Sequence, residues 1–159
     1  EGKLNIALRA IIGAVFFLGV SFFIVRPQDL VWAELPLPQP LQWLGVVLGV
    51  ISLPLLVWTQ QALGSNFSTT LHVRQEHTLV TSGPYHYVRH PMYTALFLSM
   101  SAILLLTRNW IVGGVPLVGL CMIVLLRLQR EERAMIEKFG DAYREYMKRT
   151  GRFLPRVIC

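Results

Sequence analysis

Two long apolar runs dominate this chain and limit what it can fold into. Asn5 to Val25 is an almost unbroken apolar stretch whose only full charge is Arg9, and Leu41 to Ala62 is a second, interrupted by Pro54. At a rise of about 1.5 Å per residue, helices of this length cover a hydrocarbon core of roughly 30 Å. With 53% hydrophobic and 15% charged residues among 159, the composition excludes an ordinary water-soluble domain and reads as a membrane protein. The first run is too long, and too weakly cationic at its start, for a signal peptide. Pro54 predicts a kink that neighbouring helices must accommodate. Tyr93 to Thr107 and Trp110 to Leu126 follow, separated only by Arg108-Asn109, and so predict a tight helical hairpin whose first member is short for a span. The expected fold is an all-α integral membrane protein of about four transmembrane helices (5–25, 41–62, 93–107 and 110–126) in a single domain covering 1–159.

The basic residues orient these helices. With the amino terminus inside, the segments before Asn5, between Ala62 and Tyr93 and after Leu126 share one side, and nearly every lysine and arginine lies there; Arg26 and Arg108 fall opposite. The positive-inside rule then places the loop 63–92 and the tail 127–155 in the cytoplasm. The net charge of +6 follows from this distribution, and a basic tail beside a bilayer meets anionic membrane lipids. No nucleic-acid motif is present, so nucleic acid is not an expected partner. Cys121, inside a span, and Cys159 are not placed as a disulfide framework or a metal pair. Arg26 to Pro40, holding Pro27, Pro36, Pro38 and Pro40, predicts an irregular external connection rather than a helix. After Leu126, Met135, Ile136, Phe139, Tyr143, Tyr146 and Met147 recur at helical spacing among charges, which predicts an amphipathic helix against the cytoplasmic face, broken at Gly140.

The stretch SGPYHYVRHPMY, residues 82–93, is the first concentration of chemistry. Each residue has an ordinary reading: Gly83-Pro84 as a turn, the tyrosines as an interfacial belt, Arg89 reaching to head groups. Their density has none. His86 and His90 are four apart, with His72 and His77 nearby, but Pro91 removes His90 from a helix and no cysteine or carboxylate joins them at ligand spacing, so no metal is expected. No serine or cysteine has the strained-turn context of a nucleophile. A second cluster, Arg127, Arg130, Glu131 and Glu132, ends the fourth span, where ionisable groups at membrane depth suggest function. Arg127 and Glu131 share a helix face, in the order less favourable for a lateral ion pair.

Taken together, HTLVTSGPYHYVRHPMY (His77 to Tyr93), the hairpin, RLQREE and FGDAYREYMKRTGRFLP, preceded by LGSNFS (Leu63 to Ser68), resemble the isoprenylcysteine carboxyl methyltransferase family of integral membrane enzymes over about Leu41 to Pro155. The tail KRTGRFLP is similar to that of prokaryotic-type members. The resemblance implies methyl transfer from S-adenosylmethionine to a carboxylate on a lipophilic acceptor entering from the bilayer. It implies that His77, Thr78, Leu79 and Val80, then Tyr85, then His90, Pro91, Met92 and Tyr93, and finally Glu131 bind the cofactor in a cytoplasm-facing pocket, and that Arg127 faces the acceptor. His72 is a further candidate in a loop shorter than in some eukaryotic members.

Elementary chemistry agrees with that assignment. A carboxylate with a reference pKa of about 4 is already ionised at neutral pH, so attack on a sulfonium methyl needs alignment and a dry site rather than a general base. An arginine can hold the carboxylate through two parallel hydrogen bonds. A glutamate can accept hydrogen bonds from the cofactor's amino or hydroxyl groups, and tyrosine faces can pack on the sulfonium. An amine or small-thiol acceptor, such as a phospholipid amine, and a non-enzymatic membrane scaffold stay open as alternatives; an amine must first lose a proton.

Overall fold

A computed structural model of the chain describes residues 3–64 and 78–156. Its elements are α1 (Lys3–Val25), a 3-10 turn (Pro27–Ala33), α2 (Gln39–Leu63), a second 3-10 turn (Gly83–His86), α3 (Pro91–Thr107), a π-helical turn (Trp110–Gly114), α4 (Val115–Phe139) and α5 (Asp141–Arg149). Among the described residues there is no strand; the isolated bridges Glu34 to Asn109 and Val88 to Gly151 are the extended pairings. The all-α expectation therefore holds.

By length and composition, α2 and the helical stretch Trp110–Phe139 can each cross a membrane. The pair Gly13–Val25 and Pro27–Ala33, bent by 115°, makes a third if counted as one broken span, and Pro91–Thr107 is a shorter apolar helix. Large apolar side chains such as Trp43, Val50 and Val57 on α2 and Val118, Met122 and Leu125 on α4 are exposed, which suits lipid contact.

The chain divides into two compact units. The first comprises Glu1–Ser52 and Phe97–Ile123. Its hairpin turns where the sequence breaks: Arg108 takes a positive φ of 50°, and Asn109 caps the π-helical turn, its Oδ1 accepting from the Ile111 and Val112 amides at 3.0 and 3.1 Å. The buried Asn109 Nδ2 donates to the Leu30 carbonyl at 2.9 Å, and Arg108 pairs with Glu34 at 2.5 Å. These bonds give the proline-rich connection more order than the sequence suggests. Pro27–Ala33 coils as a 3-10 turn with its proline at the start, where the missing N–H costs nothing, and Pro40 lies in the first turn of α2 for the same reason. Gly113 sits directly on the Leu104 backbone, with no room for a Cβ.

The second unit comprises Leu53–Leu96 and Val124–Cys159 and holds the residues singled out above. Pro54 lies within the unbroken run of α2. The amphipathic segment does not begin as a separate helix after Leu126: α4 continues to Phe139, since nothing between Arg127 and Phe139 breaks it. The break comes at Gly140, φ 54°, as the sequence suggests, and α5 follows. Helix ends at Arg149, so the final part of the expected 127–155 helical region, from Thr150 onward, is irregular.

Candidate active site

The site begins at a glycine. Gly83 has φ 61°, and a Cβ there would lie 3.2 Å from the Ala62 Cβ and 3.3 Å from the Trp58 indole nitrogen. Pro84 continues the 3-10 turn that buries Tyr85, and Pro91 starts α3 at a position needing no amide donor. His90 thus stands just outside α3, and Tyr93 lies in its first turn.

Tyr93 reaches the second cluster. Its hydroxyl donates to Glu131 Oε1 at 2.9 Å, and Arg127 Nη2 lies 3.1 Å from the same oxygen. His90 stacks near Tyr93, ring centroids 5.8 Å apart, with its Nδ1 4.0 Å from Glu131 Oε2 and its Nε2 3.5 Å from Glu132 Oε1. The Arg127–Glu131 pair forms despite its less favourable order, because both side chains are mostly buried, where a charge pair is screened less than at an exposed helix surface. Tyr85 lies within electrostatic reach: burial first, then the charges of Tyr146 and Glu131, push its phenol well above the ordinary tyrosine value and keep it neutral.

The two clusters that the sequence separates by 38 positions are therefore one cluster in space, uniting His90, Tyr93, Arg127 and Glu131. Pro91 is buried as the helix start and Met92 is half-buried beside it. Thr78 is exposed, and Leu79 and Val80 are half-buried in the segment leading to the turn. His77 and His72 lie outside the described residues, as does most of the Leu63 to Ser68 stretch.

Sequence reasoning undervalued Arg89. Its side chain is buried at 7% exposure, donating from Nε and Nη2 to Glu132 Oε1 at 3.2 and 3.1 Å. Its Nη1 donates to the Met147 carbonyl at 3.1 Å and to that of Thr150. The tail KRTGRFLP, singled out for its resemblance, has a role the sequence does not indicate: the Arg89 and His90 amides donate to the Gly151 and Arg152 carbonyls at 2.8 and 3.0 Å, and Thr94 Oγ1 donates to the Phe153 carbonyl at 2.9 Å. Tyr146 on α5 donates to the Tyr85 carbonyl at 2.6 Å. A usable signal was present: Glu131 and Glu132, adjacent on a helix, point about 100° apart and need different partners.

These features define a class: a membrane-embedded helical protein with a charged, tyrosine-lined cluster at the polar end of an apolar helix. Residues 43–137 match the model of the isoprenylcysteine carboxyl methyltransferase (ICMT) family, and the chain belongs to that family. It is an integral membrane protein. It is 31% identical over 135 residues to the mouse (Mus musculus) protein-S-isoprenylcysteine O-methyltransferase, covering 82% of this chain and 47% of the relative. Over 84 residues it is 32% identical to the cobalt-zinc-cadmium resistance protein CzcN of Cupriavidus metallidurans, covering 53% of this chain and 38% of the relative. A solved structure of the eukaryotic intramembrane Ras methyltransferase ICMT superposes with a TM-score of 0.62 at 21% identity, covering 99% of this chain and 54% of that one, and shows the shared fold. The chain spans about half the length of the mouse, rat and human relatives.

Proposed function

We propose that the protein is an S-adenosylmethionine-dependent membrane methyltransferase that esterifies the carboxylate of an isoprenylcysteine or a similar hydrophobic acid. The observation that carries this reading is the convergence of Tyr93, His90 and Arg127 on Glu131 in a chain of this family. In this reading the chain acts as one membrane-embedded domain with four crossings, its cofactor site and tail facing the cytoplasm, and its acceptor entering from the bilayer.

The donor set suits such a cofactor. Glu131 offers a carboxylate to amino or hydroxyl groups, Tyr85 supplies a neutral phenol and Tyr93 a hydroxyl and ring, and His90 supplies an imidazole edge. Pro91 and Met92, at the start of α3, and the segment Thr78-Leu79-Val80, with His77, are assigned to the same cofactor by the family resemblance alone. When bound, the cofactor supplies an electrophilic methyl on a cationic sulfur. Arg127 would hold the acceptor carboxylate in exchange for Glu131, and a tyrosine ring packed on the cofactor's cation would contribute about 0.5–2 kcal/mol. The acceptor is ionised at neutral pH, so no residue has to remove a proton. Half-buried side chains around the cluster limit water, which favours a reaction in which opposite charges neutralise.

The test is transfer of labelled methyl from S-adenosylmethionine to an S-farnesylated cysteine analogue, followed by alkali. Release of labelled methanol identifies the carboxyl methyl ester. Cofactor binding without transfer would move the acceptor to an amine or a thiol, and absence of cofactor binding would sink the methyltransferase reading.

A further inference from the structure

The pair Arg89–Glu132 needs its own explanation. Both side chains are 7% exposed, and burying an ion pair offers little or no net stability over an apolar pair. What the pair does contribute is geometry. Arg89 sits one residue before His90, and Glu132 one residue after Glu131. From Arg89, one end of the guanidinium grips Glu132 while Nη1 takes two carbonyls at the end of α5, Met147 and Thr150, that have no amide partner further along the helix. Glu132 Oε2 in turn accepts from Arg152 at 3.0 Å.

Between these anchors runs a very short pairing. The Val88 to Gly151 bridge and the amides of Arg89 and His90 join the tail to the motif, and so few bonds cannot set a register alone. Gly151 is required there, because a Cβ would collide with the Leu154 carbonyl. The register brings Phe153 to His90, with ring centroids 6.2 Å apart, while Tyr93 stacks on His90 at 5.8 Å.

We propose that Arg89 and Glu132 are positioning residues of the methyl-donor site: they clamp Thr150–Phe153 along Val88–His90 and so hold the His90 ring against Tyr93 and Phe153. This rests on the methyltransferase reading above. Neither residue has to touch the cofactor; each fixes the backbone next to a residue that does.

The test uses the full chain in lipid nanodiscs, with S-adenosylhomocysteine as probe and amide hydrogen exchange of Arg89 and His90 as an independent readout. In E132Q, which keeps the side-chain volume, exchange at both amides should accelerate and the dissociation constant for S-adenosylhomocysteine should rise roughly tenfold, the loss expected for a charge-assisted contact. The acceptor KM should hold. R89K, which keeps the charge but not the fork, should fall between wild type and R89M. If R89M does not fold, E132Q and R89K decide. Faster exchange with wild-type affinity would make the clamp structural only, and unchanged exchange would remove it altogether; either overturns the proposal. A wild-type chain whose amides are protected but which binds no S-adenosylhomocysteine would instead overturn the methyltransferase reading, and the positioning role with it.

Discussion

The Tyr93 hydroxyl, in the first turn of α3, donates a 2.9 Å hydrogen bond to Glu131 on α4. That bond joins the two polar segments the chain keeps far apart, and it holds the carboxylate oxygen that Arg127 also reaches. Removing the hydroxyl in Tyr93→Phe leaves ring packing in place. A hydrogen bond to a charged group is worth about 1.5–3 kcal/mol, so affinity for S-adenosylhomocysteine should fall by roughly tenfold or more, read by calorimetry, with the fold retained.

Glu131 and Arg127 should separate by phenotype although they touch. Glu131→Ala should weaken cofactor binding; normal affinity in this variant would remove Glu131 from the site. Arg127→Ala should raise the acceptor KM or lower kcat with the cofactor still bound, and unchanged kinetics would end its assigned role.

Gly83→Val should damage the site through the turn that presents Tyr85. A positive φ of 61° costs a β-carbon residue about 1–2 kcal/mol, and the new side chain would crowd Ala62 and Trp58. Lower thermal stability and reduced methyl transfer are expected together; full activity would show that the turn is dispensable.

Asn109→Ala removes a cap and a buried donor in the first unit, leaving the Ile111 and Val112 amides and the Leu30 carbonyl without that side chain. Loss of about 2 kcal/mol is expected in thermal or denaturant unfolding. A change under 0.5 kcal/mol, the scale of ordinary surface substitutions, would mean that water replaces all three bonds.

Alkali should act through the buried phenols. Burial raises Tyr85 and Tyr143, and pushes Tyr146 up to about 12 from 10.0. The folded state keeps protons that the unfolded chain surrenders near 10.0, so this stabilisation is whole below pH 10.0 and is lost as pH rises toward 12. Phenolate absorbance at high pH should show a late rise that Tyr146→Phe reduces by one phenol, Tyr85 and Tyr143 supplying the rest, while unfolding becomes easier across the same window.

Much of the fold was legible because its causes are local. Apolar runs longer than a bilayer core dictate helices, Arg108-Asn109 interrupts one such run, and Gly140 ends the amphipathic continuation of α4. The chemistry-bearing residue types were legible for a different reason: histidine, arginine and paired glutamates are conspicuous in an apolar chain. The 3-10 turn at Pro27–Ala33 was less so, since its order depends on Leu30 and Glu34 meeting Asn109 and Arg108 far along the chain.

By itself, then, the sequence determined the helices, their breaks and the list of polar residues that a membrane protein must account for, because hydrophobic length and backbone sterics act within a few residues. Only the tertiary structure decided that Glu131, already beside Arg127 on one helix face, also faces Tyr93, that Glu132 faces Arg89 and Arg152, and that the tail returns to pair with His90. Adjacent carboxylates look alike in a sequence; that Glu132 meets Arg89 and Arg152, and that Glu131 meets Tyr93 beyond its neighbour on α4, depends on contacts between residues far apart in the chain.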